Sequence, residues 1–289
     1  MRRFLFLRFS LALLAATLPV PIHAAGLPSL PDEALLTDPI WARAGFAGLA
    51  SAFSNRTRYL LALDVDHQRG VLTGKARVIY VNGSGVPQSE VIFRLYPNHP
   101  VHQARQMRVS AVSLNGVPIS GQVRDANATV YAVTLPVPLP PNGTATFEFD
   151  YTISIPANSN FFYVSEPLPM VAVYDSSGWR QDVATKGLDY AYTESALYAV
   201  RVRVPSSYGT WFVGSLKGVE YNGAVSTTYT IVTGPVRNFV LVQVRGWNVI
   251  EVTDANVPIR VLYSGDPVGA QEIAQISAAA FNYFDQVIS

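Results

Sequence analysis

Residues 145–155 read A-T-F-E-F-D-Y-T-I-S-I. Phe147, Phe149, Tyr151, Ile153 and Ile155 fall on one face of an extended chain; Thr146, Glu148, Asp150, Thr152 and Ser154 fall on the other. An apolar side chain at every second position is what a strand with one dry and one wet face requires, because successive side chains leave a strand on opposite sides. The same period recurs outward from this stretch. Tyr59, Leu61, Leu63 and Val65 alternate with Arg58, Ala62 and Asp64. Val91, Phe93 and Leu95 alternate with Glu90 and Arg94, and Tyr198, Val200, Val202 and Val204 with Arg201 and Arg203. Val257, Ile259, Val261 and Tyr263 close the series, with shorter runs at 109–114, 129–135, 211–216, 227–232 and 238–244. Gln68-Arg69-Gly70, Asn82-Gly83, Asn115-Gly116, Pro141-Asn142-Gly143 and Asn222-Gly223 supply hairpin turn chemistry between them. No useful helical period interrupts residues 57–264. The pattern predicts an all-β fold: a two-layer antiparallel β-sandwich over residues 55–264, followed by one C-terminal helix.

That helix is read from residue 265 onward. Asp266 is a good N-cap and Pro267 suits the first helical position. Ile273, Ile276, Ala280, Phe284 and Val287 then recur at helical spacing, a stripe that needs a surface to pack on. At the other end, Arg2 and Arg3 precede a short apolar core at 9–20, and Ile22-His23-Ala24-Ala25 offers a small-residue cleavage site. The core is shorter than the ~20 residues a spanning helix needs. Residues 1–24 therefore read as a signal peptide, and the chain as secreted or periplasmic with no stable membrane anchor after cleavage; the competing reading is an uncleaved anchor. Residues 25–54 form an extension. Its stretch 27–39 is proline-rich and irregular, and 41–53 is a short helix candidate with Trp41, Phe46, Leu49 and Phe53 on one face.

The chain has 289 residues, 49% hydrophobic and 14% charged, enough apolar content for a substantial core. A net charge of +1 gives no electrostatic case for nucleic acid. The absence of cysteine excludes a disulfide framework, a lipoprotein anchor, a thiol nucleophile and cysteine-ligated metal.

Candidate chemistry is sparse. The four histidines are His23, His67, His99 and His102. His67 falls in a hairpin turn, and His99 and His102 form an H-P-V-H loop with no carboxylate nearby in sequence. No H-E-x-x-H occurs, the motif that sets two histidines one helical turn apart for zinc with the Glu as general base. Gly214-Ser215-Leu216-Lys217-Gly218 has Leu where a serine nucleophile elbow needs Ser, Gly83-Ser84-Gly85 is too short for a phosphate loop, and no acid/base carboxylate pair stands out. Tyr163, Tyr174, Trp179, Tyr190, Tyr192 and Trp211 concentrate in one part of the sequence. They read as filling the sandwich core and rim, with a sugar-stacking or peptide groove as the alternative. Asn55, Asn82, Asn127 and Asn142 stand in Asn-x-Ser/Thr sequences but read as turn asparagines.

Five segments carry a resemblance: N-R-T-R-Y at 55–59, L-T-G at 72–74, F-R-L-Y-P-N at 93–98, P-M-V-A-V-Y-D-S-S-G-W at 169–179 and T-E-S-A-L-Y at 193–198. Together with A-A-A-F-N-Y-F at 278–284 they resemble the N-terminal part of secreted bacterial zinc metallopeptidases of the aminopeptidase N family. The resemblance implies a saddle-like N-terminal sandwich ahead of a thermolysin-like catalytic domain, with 265–289 as that domain's first helix and the chain truncated before the H-E-x-x-H motif. It implies peptide hydrolysis in the full-length protein, with zinc there and no cofactor or catalytic residue in this chain. The partners would be the missing catalytic domain of the same polypeptide and a peptide substrate. In the family a polar side chain of the sandwich, Gln or Glu, contacts the substrate's amino group; counting back from Pro169 reaches Asn160, and Glu166 is the nearest acid. The alternatives from other classes are a stand-alone extracellular β-sandwich module binding peptide or glycan, and an extracellular structural module.

Overall fold

The computed structural model describes residues 26–42, 48, 52–53, 55–102, 106–182, 191–253 and 257–288. The signal reading over 1–24 and most of the helix candidate at 41–53 lie outside the described residues. Within them the chain is all-β with one long helix, Pro267–Ile288.

An eight-stranded sheet forms one layer. Its order is Ser215–Asn222, Ser226–Val232, Leu197–Pro205, Arg58–Asp66, Val71–Val81, Thr144–Ser154, Met107–Leu114 and Val117–Pro118. The facing layer is built from a four-stranded sheet (Met170–Val171, Gln88–Arg94, Val130–Leu139, Gly121–Val123) and a three-stranded one (Gly209–Phe212, Val240–Val244, Phe161–Ser165). One continuous core lies between them, because the alternating faces of both layers meet there. Phe147, Phe149, Tyr151 and Ile153 are buried as the period demands. Phe93 from the opposite layer stands edge-on to Phe147 and Phe149, at 5.0 and 4.7 Å between centroids.

Three features differ from the pattern in the sequence. The central pair, Arg58–Asp66 with Leu197–Pro205, is parallel, set among antiparallel neighbours. Leu60 and Ala62, on the face expected to be wet, are fully buried. A cluster of Leu36, Leu60, Ile79, Leu197, Ala199 and Val232, joined by Leu30 and Trp41, covers that part of the outer face with the N-terminal extension. Arg201 and Arg203 hold the extension there through the Ser29 hydroxyl and the Gly26 carbonyl. Arg94, also expected to be wet, is buried; Ile92 on the same strand joins Val130, Ala132 and Ala172 in a small cluster against which Trp179 packs.

Two motif residues have plain structural work. Asn98 of F-R-L-Y-P-N donates to the carbonyls of Met107 (3.0 Å) and Ala128 (2.7 Å) and accepts from the Met107 N–H, stapling two loops. Gly74 of L-T-G sits opposite Tyr151 on the neighbouring strand.

The terminal helix starts where expected: Asp266 Oδ1 accepts from the N–H groups of Val268 and Gly269, both at 3.0 Å. Its packing face is alanine. Ala270, Ala274 and Ala278 are buried, the latter two against Val252, Ile250, Ile259 and Val261 of the hairpin Asn248–Val252/Ile259–Tyr263. The apolar stripe points elsewhere: Ile273, Ile276, Phe284 and Val287 are 55–69% exposed. Among the described residues no helix is long and apolar enough to cross a membrane.

Candidate functional site

Three of the segments quoted above, 55–59, 169–179 and 193–198, lie far apart in sequence and meet in space. Tyr59 and Tyr198, side by side through the parallel pair, stack with centroids 4.9 Å apart. The Tyr59 hydroxyl accepts the N–H of Val171 at 3.2 Å. Beside them opens a cavity of about 300 Å³, lined among others by Tyr59, Tyr80, Tyr174, Trp179 and Glu194. Tyr174 and Trp179 come from one tight hairpin and meet edge to face at 5.2 Å; Trp179 lies 6.2 Å from Tyr80 at 47°. The Trp179 indole nitrogen is buried with no hydrogen-bond partner among the described residues.

Burial, and secondarily the Glu194 carboxylate, pushes the Tyr59 and Tyr80 phenols upward, so both stay protonated at any physiological pH. Glu194 itself is exposed and forms no ion pair or hydrogen bond among the described residues. Sequence reasoning did not single out Tyr59, Tyr80 or Glu194 for chemistry. The available signal was Glu194 itself, a lone carboxylate three residues ahead of the apolar start of the strand Leu197–Pro205.

A buried polar cluster adjoins this cavity. Tyr96 donates to the Tyr192 carbonyl at 2.8 Å, lies under the Arg94 guanidinium at 5.4 Å, and is pushed up to about 12, mainly by burial. Glu166 is fully buried with a φ of 50°, and its Oε1 accepts from Asn238 Nδ2 at 2.9 Å. Asn160 lies at the other end of the intervening strand Phe161–Ser165, about 20 Å away at ~3.3 Å per residue. It is exposed, and its Oδ1 accepts two bonds from Arg245, at 3.0 and 2.8 Å. The two sequence candidates are therefore not brought together. Glu166 adjoins the converging motifs and Asn160 does not.

The aromatic residues expected in the core and on the rim hold the rim alone. Tyr163 and Tyr192 are exposed, Tyr174, Trp179 and Trp211 half-buried, and Tyr190 lies outside the described residues. His67 is buried in its turn, with Nε2 2.7 Å from Gln243 Oε1. Since Gln243 Nε2 reaches toward Thr210 Oγ1, its oxygen faces the imidazole, and His67 carries its proton on Nε2. Its ring stacks on Tyr208 at 4.0 Å, and Nδ1 has no hydrogen-bond partner among the described residues. Burial lowers its pKa. A depressed histidine contributes stability that is present above the unfolded value of ~6.5 and lost as pH falls through the folded value. Urea midpoints should therefore drop between about pH 7 and 5, and His67→Phe, which keeps the stacking, should flatten that slope.

His99 and His102 occupy their predicted loop with rings 6.5 Å apart. No group of three or more His, Cys, Asp or Glu among the described residues is placed to hold a metal.

No family model matches the chain and no curated protein matches it. Its structural neighbours are zinc metallopeptidases. It is similar to the M1 zinc metallopeptidase from Deinococcus radiodurans: 22% identity, 74% of this chain and 49% of that one, TM-score 0.46. A mutant of that enzyme bound to a Tyr-Ser-Ala substrate gives 20% identity, 77% and 53% coverage, and a TM-score of 0.47. This chain spans about half the length of those structures.

Proposed function

We propose that this chain is the N-terminal substrate-groove sandwich of an exported zinc aminopeptidase-like metallopeptidase, and that zinc and general base belong to a catalytic domain of the same polypeptide. The observation that supports this most is the meeting of three resembling segments, 55–59, 169–179 and 193–198. Tyr59 stacks on Tyr198 and accepts from Val171, and Tyr174, Trp179 and Glu194 line the cavity beside them. Residues that serve only separate local folds have no reason to meet. The exposed stripe on the terminal helix supports the second half of the proposal, since an apolar face of that extent is normally covered.

In this reading the chain's own residues orient a peptide and do no bond-breaking. Glu166 or Asn160 would meet the substrate's amino group. Glu166 is the better placed of the two, beside the converging motifs, and reaching a substrate would require it to leave Asn238. The second reading, a stand-alone module, is favoured only by the rim pair Phe161 and Trp247, stacked at 5.3 Å.

The test compares residues 25–289 with the longest product of the same reading frame. The shorter chain should carry no stoichiometric zinc and release no chromophore from aminoacyl anilides; the longer one should do both. Aminopeptidase activity from residues 25–289 alone, or a longer frame without H-E-x-x-H, would overturn the proposal.

A further inference from the structure

We propose that the cavity beside Tyr59 is a binding site for an organic cation, an ammonium or guanidinium group held between the rings of Tyr80, Tyr174 and Trp179 and the carboxylate of Glu194. This does not depend on the peptidase reading. It rests on three observations. Trp179 makes 81° with Tyr174 and 47° with Tyr80, so the three rings bound the space from different directions rather than forming a flat stack. Ring faces carry the negative end of the aromatic quadrupole, which attracts a desolvated cation. Glu194 lines the same cavity and has no ion pair among the described residues, so a negative charge stands next to the rings without a counter-charge. The phenols of Tyr59 and Tyr80 are held neutral by their burial, so they add oxygen acceptors without adding charge that would bring in a metal ion.

The volume, about 300 Å³, is at the small end of ligand pockets and fits one cationic head group rather than a whole peptide. Arg56 is the one base on the lining; it is exposed and makes no pair with Glu194 among the described residues. A zwitterion would use Arg56 for its carboxylate, whereas a simple cation would gain from its removal. The same cation chemistry can come as a free small molecule or as the side chain of a peptide.

The experiment titrates residues 25–289 with choline, with an end-blocked Ala-Arg-Ala peptide, and with 3,3-dimethylbutanol as the neutral isostere of choline. Binding is read by tryptophan fluorescence and by the shifts of the Trp179 indole resonance. Saturable binding of at least one cation is expected at about 1–10 mM, with the isostere roughly tenfold weaker. Choline alone binding identifies a free cation as the source, and the peptide alone identifies a side chain. Glu194→Gln, at an exposed position, should weaken binding about threefold to tenfold with an unchanged circular dichroism spectrum. Arg56→Ala should leave binding equal or tighter. Equal binding of the neutral isostere, no effect of Glu194→Gln, loss of binding with Arg56→Ala, or no saturation by about 20 mM of either cation would each overturn the assignment.

Discussion

Gly74→Val is expected to abolish the fold at room temperature or leave it barely stable. Gly74 lies mid-strand, opposite Tyr151, whose ring crosses directly over it. A Cβ added at 74 would meet Tyr151 Cζ at 2.2 Å and its hydroxyl oxygen at 2.5 Å. The ring cannot step aside cheaply. Tyr151 is 1% exposed, and its hydroxyl donates to the Pro167 carbonyl at 2.6 Å, tying the eight-stranded layer to the segment that follows Glu166. Forcing extra methyl groups into a packed core costs about 1–3 kcal/mol or more. Losing a buried hydrogen bond adds about 1–3. Together these approach the ~5–15 kcal/mol by which a domain of this kind is stable. Urea unfolding reads the effect directly. Gly83→Ala is the control, since nothing lies within 4 Å of its added carbon, and its midpoint should move little. In a Tyr151→Ala background the Gly74→Val cost should shrink, as expected for two groups competing for one space. A Gly74→Val chain that melts with the native midpoint would show that Tyr151 does not occupy this position.

Asn82→Asp should be more damaging than Asn82→Ala, although Asp is the closer match in shape. Asn82 is fully buried, and its amide nitrogen donates to the carbonyls of Val86, Leu139 and Pro140 at 2.8, 2.9 and 3.1 Å. Its oxygen accepts from the backbone N–H and the hydroxyl of Ser84. Alanine leaves these partners unmet, at about 2–4 kcal/mol for a network of this size. Aspartate keeps the accepting side and turns an oxygen against three carbonyls. It must then bury a charge facing like partial charges or take up a proton. The stability order Asn, Ala, Asp at pH 7 should narrow as pH falls and the carboxyl protonates. Equal stability of the Ala and Asp variants at pH 7 would contradict it. The same burial removes Asn82 as a glycan acceptor in the folded chain.

The strands with one wet and one dry face were legible because their chemistry is local. Phe147 to Ile153 announce themselves to anyone counting by two. What covers a face is not local. Leu60 and Ala62 looked wet because nothing near them in sequence shows that the extension carrying Leu36 will lie on top. Arg94 looked wet for the same reason. The short strand Asn248–Val252 sets Val249 and Ile250 side by side and so shows no clean period of two; its partner is a hairpin arm under a helix rather than the main core. The candidate site was legible in its parts alone. Tyr59, Tyr174, Trp179 and Glu194 stood inside the quoted segments and Tyr80 outside them; of the two candidates reached along the chain, Asn160 and Glu166, nothing local showed that they end on opposite ends of one strand. The terminal helix was read correctly at its start, where Asp266 acts within one turn. Its buried side was missed because small alanines, not the large residues, make the contact.

The parallel strand pair at the centre of the large sheet has a consequence for the order in which this chain can acquire structure. Arg58–Asp66 lies between Val71–Val81, a hairpin neighbour, and Leu197–Pro205; Asp64 meets Arg203 across 139 residues at 2.7 Å. A loop of that length closes late, since long-range pairing lowers folding rates. At a ribosome or a translocation pore, the first hairpin would emerge with one edge unpaired and stay so until the strand that completes it follows. During that interval Leu60, Leu61 and Leu63 are an open, apolar sheet edge, the kind that aggregates. The vectorial delivery of the polypeptide and the topology of its sheet thus run against each other, and a holding chaperone acting on roughly the first two hundred residues is the natural remedy.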